Sequence, residues 1–186
     1  MNSRAESTER TRQSVLDAAA ECFTTSAYDC VSLKDIAKLA KVGLQTVVRI
    51  GESKEKLFTA GAERAFFSII ERTKDIPDDD FVEGLEFLMD LYESWGDRML
   101  RILSQEDRIP AIKVFAELNR SAQKHRIETL FSSQLSRLNE VDKERKVISL
   151  MSVSGSHSWH VLRRVHGLSK EQTTLAIKEM VEKIIS

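Results

Sequence analysis

Residues Ser32 to Phe58, SLKDIAKLAKVGLQTVVRIGESKEKLF, constrain the fold more than any other stretch, because their apolar spacing describes two short helices meeting at a tight turn. In the first, Leu33, Ile36, Ala37 and Ala40 recur at helical spacing, with Ser32 as N-cap and Asp35 in the capping-box position three residues on. In the second, Leu44, Val47 and Val48 can point inward while Gln45, Thr46 and Arg49 point out. That outward set is small, polar and partly cationic, which suits a helix presented to a DNA major groove.

The pattern extends to both sides. Upstream, Val15, Ala18, Ala19, Cys22 and Phe23 fall on one helical stripe, and downstream Ser53 reads as a cap before Lys54, Glu55 and Leu57. A three-helix head followed by a long linking helix resembles the TetR family of bacterial transcriptional regulators. The residues that carry the resemblance are Arg12, the run Ala18 to Phe23, Ser32 to Ala37, Val42, Thr46-Val47 and Ser53 to Phe58. Within the family the chain is most similar to members that read Gln-Thr-Val in the recognition helix, here Gln45-Thr46-Val47.

The resemblance implies an all-α protein. Residues 1–57 would form the helix-turn-helix DNA-binding domain and residues 58–186 a helical ligand-binding and dimerisation domain. It also implies a non-enzymatic, ligand-responsive repressor without cofactor, bound as a homodimer to a palindromic double-stranded operator. The expected DNA-contacting residues are Ser32, Lys34, Leu44, Gln45, Thr46, Arg49 and Lys54. Arg49 could read a guanine edge or clamp a phosphate, and Gln45 could pair with adenine or a backbone oxygen. Thr46, Ser32 and Lys54 would position phosphates. Three positions depart from the family pattern: Lys41 stands for glycine, and Val48 and Gly51 each stand for an aromatic. They motivate a second reading, a TetR-like ligand-binding or protein-interaction dimer with weakened or lost DNA binding.

Composition agrees with helices. Only two prolines and seven glycines punctuate 186 residues, and no alternating apolar run marks a strand. The formal net charge of −1 favours no partner, so charge has to be read by region. Residues 1–58 hold nine Lys/Arg against eight Asp/Glu, and Lys34, Lys38, Lys41, Arg49 and Lys54 cluster around the two short helices. Two cysteines, Cys22 and Cys30, make no disulfide framework. With no signal segment and no membrane-length apolar run, the expectation is a cytoplasmic protein with no membrane partner.

Beyond Phe58 the helix is expected to continue through Ala65, Phe66, Ile69 and Ile70 to about Lys74. Pro77 to Asp80 then reads as a turn and helix start. Phe81, Leu85, Leu88, Met89, Tyr92 and Trp95 share one face, with Gly96-Asp97 expected to interrupt that helix. Pro110 to Leu138 reads as one long helix with a polar middle. There Arg120, Lys124, His125 and Arg126 could face solvent, an anionic ligand or the head, the solvated face being preferred.

Two helices close the chain, one ending at Gly167 and one capped by Ser169 to Gln172. In TetR relatives the equivalent pair forms a four-helix bundle between subunits. The expected interface is Met151, Gly155, Trp159, Leu162, Ile177, Met180, Val181 and Ile184, with completion of the protomer's own core as the alternative. Serines 152, 154, 156 and 158 around Gly155 would permit close helix approach. His157, His160 and His166 lack partners for a metal site. No phosphate loop or nucleophile elbow is present. The resemblance further implies a pocket for a small apolar or amphipathic effector, for which Phe66, Phe87, Tyr92, Trp95, Met99 and Phe115 are the candidates.

Overall fold

A computed structural model describes residues 2–73, 76 and 80–186, with side chains described for 5–64, 76 and 80–186. Every regular element among them is helical. The order is α1 (Asn2–Thr25), a 3-10 turn (Tyr28–Cys30), α2 (Leu33–Ala40), α3 (Leu44–Gly51), α4 (Lys54–Thr73), α5 (Phe81–Leu103) and α6 (Pro110–Leu130). There follow α7 (Ser132–Leu135), α8 (Glu140–Ser154), α9 (Ser156–His160), a π-helical turn (Val161–Val165) and α10 (Lys170–Ile185). No helix of the described residues is long and apolar enough to cross a membrane.

The chain divides into two compact units, and the division is not the expected one at residue 57. The first unit comprises residues 1–69 together with 101–116, and the second comprises 70–100 together with 117–186. In the first, Val15, Ala19 and Phe23 of α1 meet Ile36 and Ala40 of α2, Val47 of α3, and Leu57 and Phe58 of α4. Ile102 and Ile112 complete that core from the later segment. The rings of Phe23, Tyr28 and Phe58 lie 5.4–5.6 Å apart, two of the three pairs edge to face. Gln105 is buried beside them because both ends of its amide are used. Its Oε1 accepts from the Tyr28 N–H at 2.9 Å, and its Nε2 donates to the Arg101 carbonyl at 2.9 Å. Arg101 in turn donates to the carbonyls of Thr24 and Thr25, closing the C-terminus of α1. A segment seventy residues downstream therefore belongs to the head, which sequence spacing does not announce.

In the second unit Leu85, Leu88 and Met89 of α5 pack with Ile127 and Leu130 of α6, Val147 and Leu150 of α8, Trp159, and Ile177 and Val181 of α10. The capping box at Ser169 and Gln172 starts α10 as expected. Asp80 accepts from the Glu83 N–H at the start of α5, while the rest of the expected turn, Pro77 to Asp79, lies outside the described residues.

Gly96 does not interrupt α5, which is continuous to Leu103. A Cβ there would lie 2.5–2.9 Å from the Trp159 ring, so the glycine makes room for the indole. The interruptions fall elsewhere. The helix expected to Leu138 ends at Leu130, and the helix expected to run unbroken to Gly167 breaks at Gly155, whose backbone is extended.

Trp159 is fully buried, and its indole N–H donates to Glu93 Oε1 at 2.9 Å. The same carboxylate takes a two-pronged bond from Arg163, Nε at 2.6 Å and Nη2 at 2.9 Å. Arg163 also donates to the Leu168 carbonyl, while Arg164 pairs with Asp97 and lies over the Trp159 ring. The Arg163 guanidinium first, and then the indole, hold the Glu93 carboxyl down at about 2, against a desolvation that acts the other way. A carboxyl depressed in the folded state contributes stability above its unfolded pKa and loses it as the pH falls through the folded one. Glu93→Gln should therefore reduce stability at neutral pH by up to about 3 kcal/mol, and the deficit should shrink as the pH is lowered from 4.5 towards 2. Urea unfolding at stepped pH measures both; a deficit constant across that range would exclude the ion pair as its source.

Candidate nucleic-acid interface

α2 and α3 are eight residues each and pack on each other and on α1. Ser32 caps α2 in a full capping box. Its Oγ accepts from the Asp35 N–H at 3.3 Å, and its own N–H donates to the Asp35 carboxylate at 2.9 Å. Because the hydroxyl also donates to that carboxylate, it is engaged in the cap rather than free for a phosphate, which corrects its expected role. These bonds to Ser32 hold the Asp35 carboxyl below the usual range.

The turn passes through Lys41 in the left-handed region, φ 56° and ψ 40°. Its N–H bonds to the Ala37 and Lys38 carbonyls, and the Val42 N–H to Ala37 at 3.0 Å. Lysine thus adopts the conformation that glycine adopts more cheaply, at a cost of about 1–2 kcal/mol. Gly43 then opens α3, its carbonyl accepting from Thr46 and Val47.

Within α3 the buried stripe is Val47 and Gly51, with Ile50 half-buried. Val48 was expected inside and is outside, 45% exposed, and Leu44 is 38% exposed. One residue is about 100° of helix, so burying Val47 and the Ile50–Gly51 side turns Val48 onto the face that carries Gln45 and Arg49. Gln45 and Arg49 are exposed as expected, and Thr46 is half-buried. Lys34, Lys38, Lys41 and Arg49 are exposed and make no ion pair among the described residues. Lys54 is half-buried and differs from them, its Nζ lying 4.3 Å from the centre of the Tyr28 ring.

Gly51 is no loose end. It is buried under Leu57, itself 1% exposed, and a Cβ at residue 51 would meet that side chain well inside contact distance. Leu57 occupies the space that an aromatic at 51 would otherwise need.

The remaining expected site residues fall as follows. Phe115 is a partly buried residue of the head core, its ring 6.1 Å from Phe58. Phe87, Tyr92, Trp95 and Met99 belong to the second unit, and the side chain of Phe66 lies outside the described residues. Tyr92 lies 6.0 Å from Trp159, and Phe87 and Trp95 lie under the guanidinium groups of Arg126 and Arg98. An open recess among the described residues follows α1, bordered by Glu6, Glu9, Asp17 and Glu21 with Arg10 and Leu39.

Three residues of the expected dimer interface are buried within the protomer, and the others are half-buried there. Trp159, Ile177 and Val181 are at most 2% exposed within the protomer, and Met151, Leu162, Met180 and Ile184 pack against the same core. Gly155 is the break between α8 and α9. An apolar stripe does not say whether its partner is in the same chain. The exposed apolar positions of this region are Val141 and Ile148 on α8, Val161 and Val165 in the π-helical turn, and Leu175 on α10.

No family model matches the sequence, and no curated protein sequence matches it. Solved structures do match the fold. A protein described as a candidate transcriptional regulator from Pseudomonas aeruginosa PAO1 superposes with a TM-score of 0.74 at 13% identity, over 95% of this chain and 91% of its own. A member of the TetR family from Streptomyces coelicolor A3 superposes at 0.68 with 14% identity, over 91% and 97%. The fold is thus the all-helical type of the TetR regulators.

Gly51→Phe should destabilise the head by about 1–3 kcal/mol or more, since the ring must displace a buried leucine. Thermal unfolding reads this directly. A variant as stable as the parent would mean that Leu57 moves aside freely and that the glycine is not required.

Proposed function

We propose that the chain is a DNA-binding transcriptional regulator of TetR type, a ligand-responsive repressor that binds a palindromic operator as a homodimer. The observation that carries this reading is the exposed face of α3. Gln45 and Arg49 stand there beside the apolar Leu44 and Val48, with Lys34, Lys38 and Lys41 nearby in sequence and in no ion pair among the described residues. Unpaired cations gain by replacing the counterions of a phosphate backbone. Arg49 and Gln45 can make paired bonds to guanine and adenine edges, and Val48 and Leu44 can meet thymine methyl groups. Two such heads would enter successive major grooves about 34 Å apart. The reading with lost DNA binding is weakened at Gly51, where Leu57 fills the gap.

For self-association, the supporting feature is the exposed apolar set Val141, Ile148 and Leu175, with Val141 and Ile148 two turns apart on α8. Effector binding would act by favouring a head spacing that the operator does not fit.

Selection from randomised duplex DNA should enrich a palindrome with half-sites one helical turn apart, and failure to enrich any sequence would remove the operator reading. On the selected site Arg49→Ala should weaken binding by about 1–3 kcal/mol and relax the preference at one base pair. Anisotropy titration at fixed salt decides it, with unchanged affinity excluding Arg49 from the interface. Ile148→Glu should shift the protein from dimer to monomer in sedimentation velocity with its helical signal intact, because the carboxylate would be desolvated without a partner. An undiminished dimer would place the interface elsewhere.

A further inference from the structure

Of the basic residues in the middle of α6, Lys124 and His125 are exposed, as the solvated-face reading expects. Arg126 is not. It lies beside the buried Ile127 and one turn before the buried Leu130, so its Cα stands at the edge of the inward stripe. Its guanidinium is 6.0 Å from the centre of the Phe87 ring and close enough to the Tyr92 phenol for each to bias the other's ionisation. Among the described residues no carboxylate or carbonyl accepts a hydrogen bond from Arg126, and the Tyr92 hydroxyl also has no partner. The positions one turn either side of Arg126 on its own helix, Ala122, Gln123, Thr129 and Leu130, supply no acid.

The contrast with Arg163 in the same unit is informative. There every prong of the guanidinium has an acceptor, two on Glu93 and one on the Leu168 carbonyl. Arg126 has five donors, and among the described residues none finds a hydrogen-bond acceptor. Burial pulls it below the ordinary guanidinium range and pushes the Tyr92 phenol up to about 12, so at neutral pH the one is a cation and the other a hydrogen-bond donor. Both side chains nonetheless keep accessible surface. A half-buried cation without a protein acceptor gains from an anion that meets it.

We propose that Arg126 and Tyr92 form a binding site for the head group of an organic carboxylate. The planar fork of Arg126 takes the two oxygens, the Tyr92 hydroxyl donates a further bond, and the apolar body rests against Phe87. The tilted contact of Tyr92 with Trp159, whose own N–H is held by Glu93, positions the phenol. On the regulator reading above, on which this part rests, the carboxylate is the effector.

The test uses the full chain with octanoate and benzoate as probes, each against its neutral amide, and phenyl phosphate as the alternative anion. In thermal shift and calorimetry at least one carboxylate should stabilise the parent protein while its amide does not, and Arg126→Met should lower that affinity at least about tenfold. Arg126→Lys, which keeps the charge and loses the fork, should fall between. Without ligand, Arg126→Met should melt no lower than the parent, because it removes an unpaired charge; a clearly lower melting point would make Arg126 a structural residue and overturn the proposal. Equal shifts from acids and amides, undiminished binding by Arg126→Met, preference for the phosphate, or no response to either carboxylate would also overturn it. DNA binding measured in parallel separates the two readings. Operator binding without carboxylate binding sinks this site alone, and carboxylate binding without any DNA binding sinks the regulator and leaves the site standing.

Discussion

The recognition helix is eight residues long, and an isolated helix in water needs about 12–15 residues to hold its shape. Its geometry therefore depends on burial, and the burial is concentrated in Val47, which has no exposed surface, with Ile36 and Ala40 of α2 and Val15 and Ala19 of α1 around it. That one apolar contact fixes the rotation of α3 and, through it, which residues face outward. Val48 is exposed because Val47 is not. The phase of the helix is set by the core, and the DNA-facing chemistry follows from the phase.

The same logic governs the second unit, where a single large side chain organises its neighbours. Trp159 can be buried only if its N–H has an acceptor and its ring has space. Glu93 supplies the acceptor and Gly96, one turn on along α5, supplies the space. The carboxylate so buried then needs a cation, which Arg163 provides. Tyr92 directly precedes Glu93 on α5, its ring 6.0 Å from that of Trp159 and its hydroxyl without an acceptor among the described residues. This packing thus leaves the donors of Tyr92 and Arg126 without an acceptor among the described residues.

Helix starts were legible where a side chain does the capping. Ser32 with Asp35, Ser53 before α4, and Ser169 with Gln172 each satisfy orphan backbone groups by chemistry confined to four consecutive residues. Gly96 was misread for the opposite reason. It looks like a helix breaker in a one-dimensional reading, yet it answers to a side chain elsewhere, Trp159 at sixty-three positions' distance. Arg126 was read with its charged neighbours as solvated, because sequence shows charge and not the direction in which one residue of a helix points.

The sequence by itself determined what short-range physics controls: an all-helical chain, two short helices with their turn, the caps, and a basic cluster around the second helix. Hydrogen-bonding reach along the chain and the 3.6-residue period suffice for these. Only the tertiary structure decided that residues 101–116 belong to the head, that Trp159, Ile177 and Val181 complete the protomer's own core, and that Arg126 is turned towards Phe87 with no hydrogen-bond acceptor among the described residues. Each of these depends on which apolar surfaces meet across long separations, and burial is non-directional, so an apolar stripe carries no address for its partner.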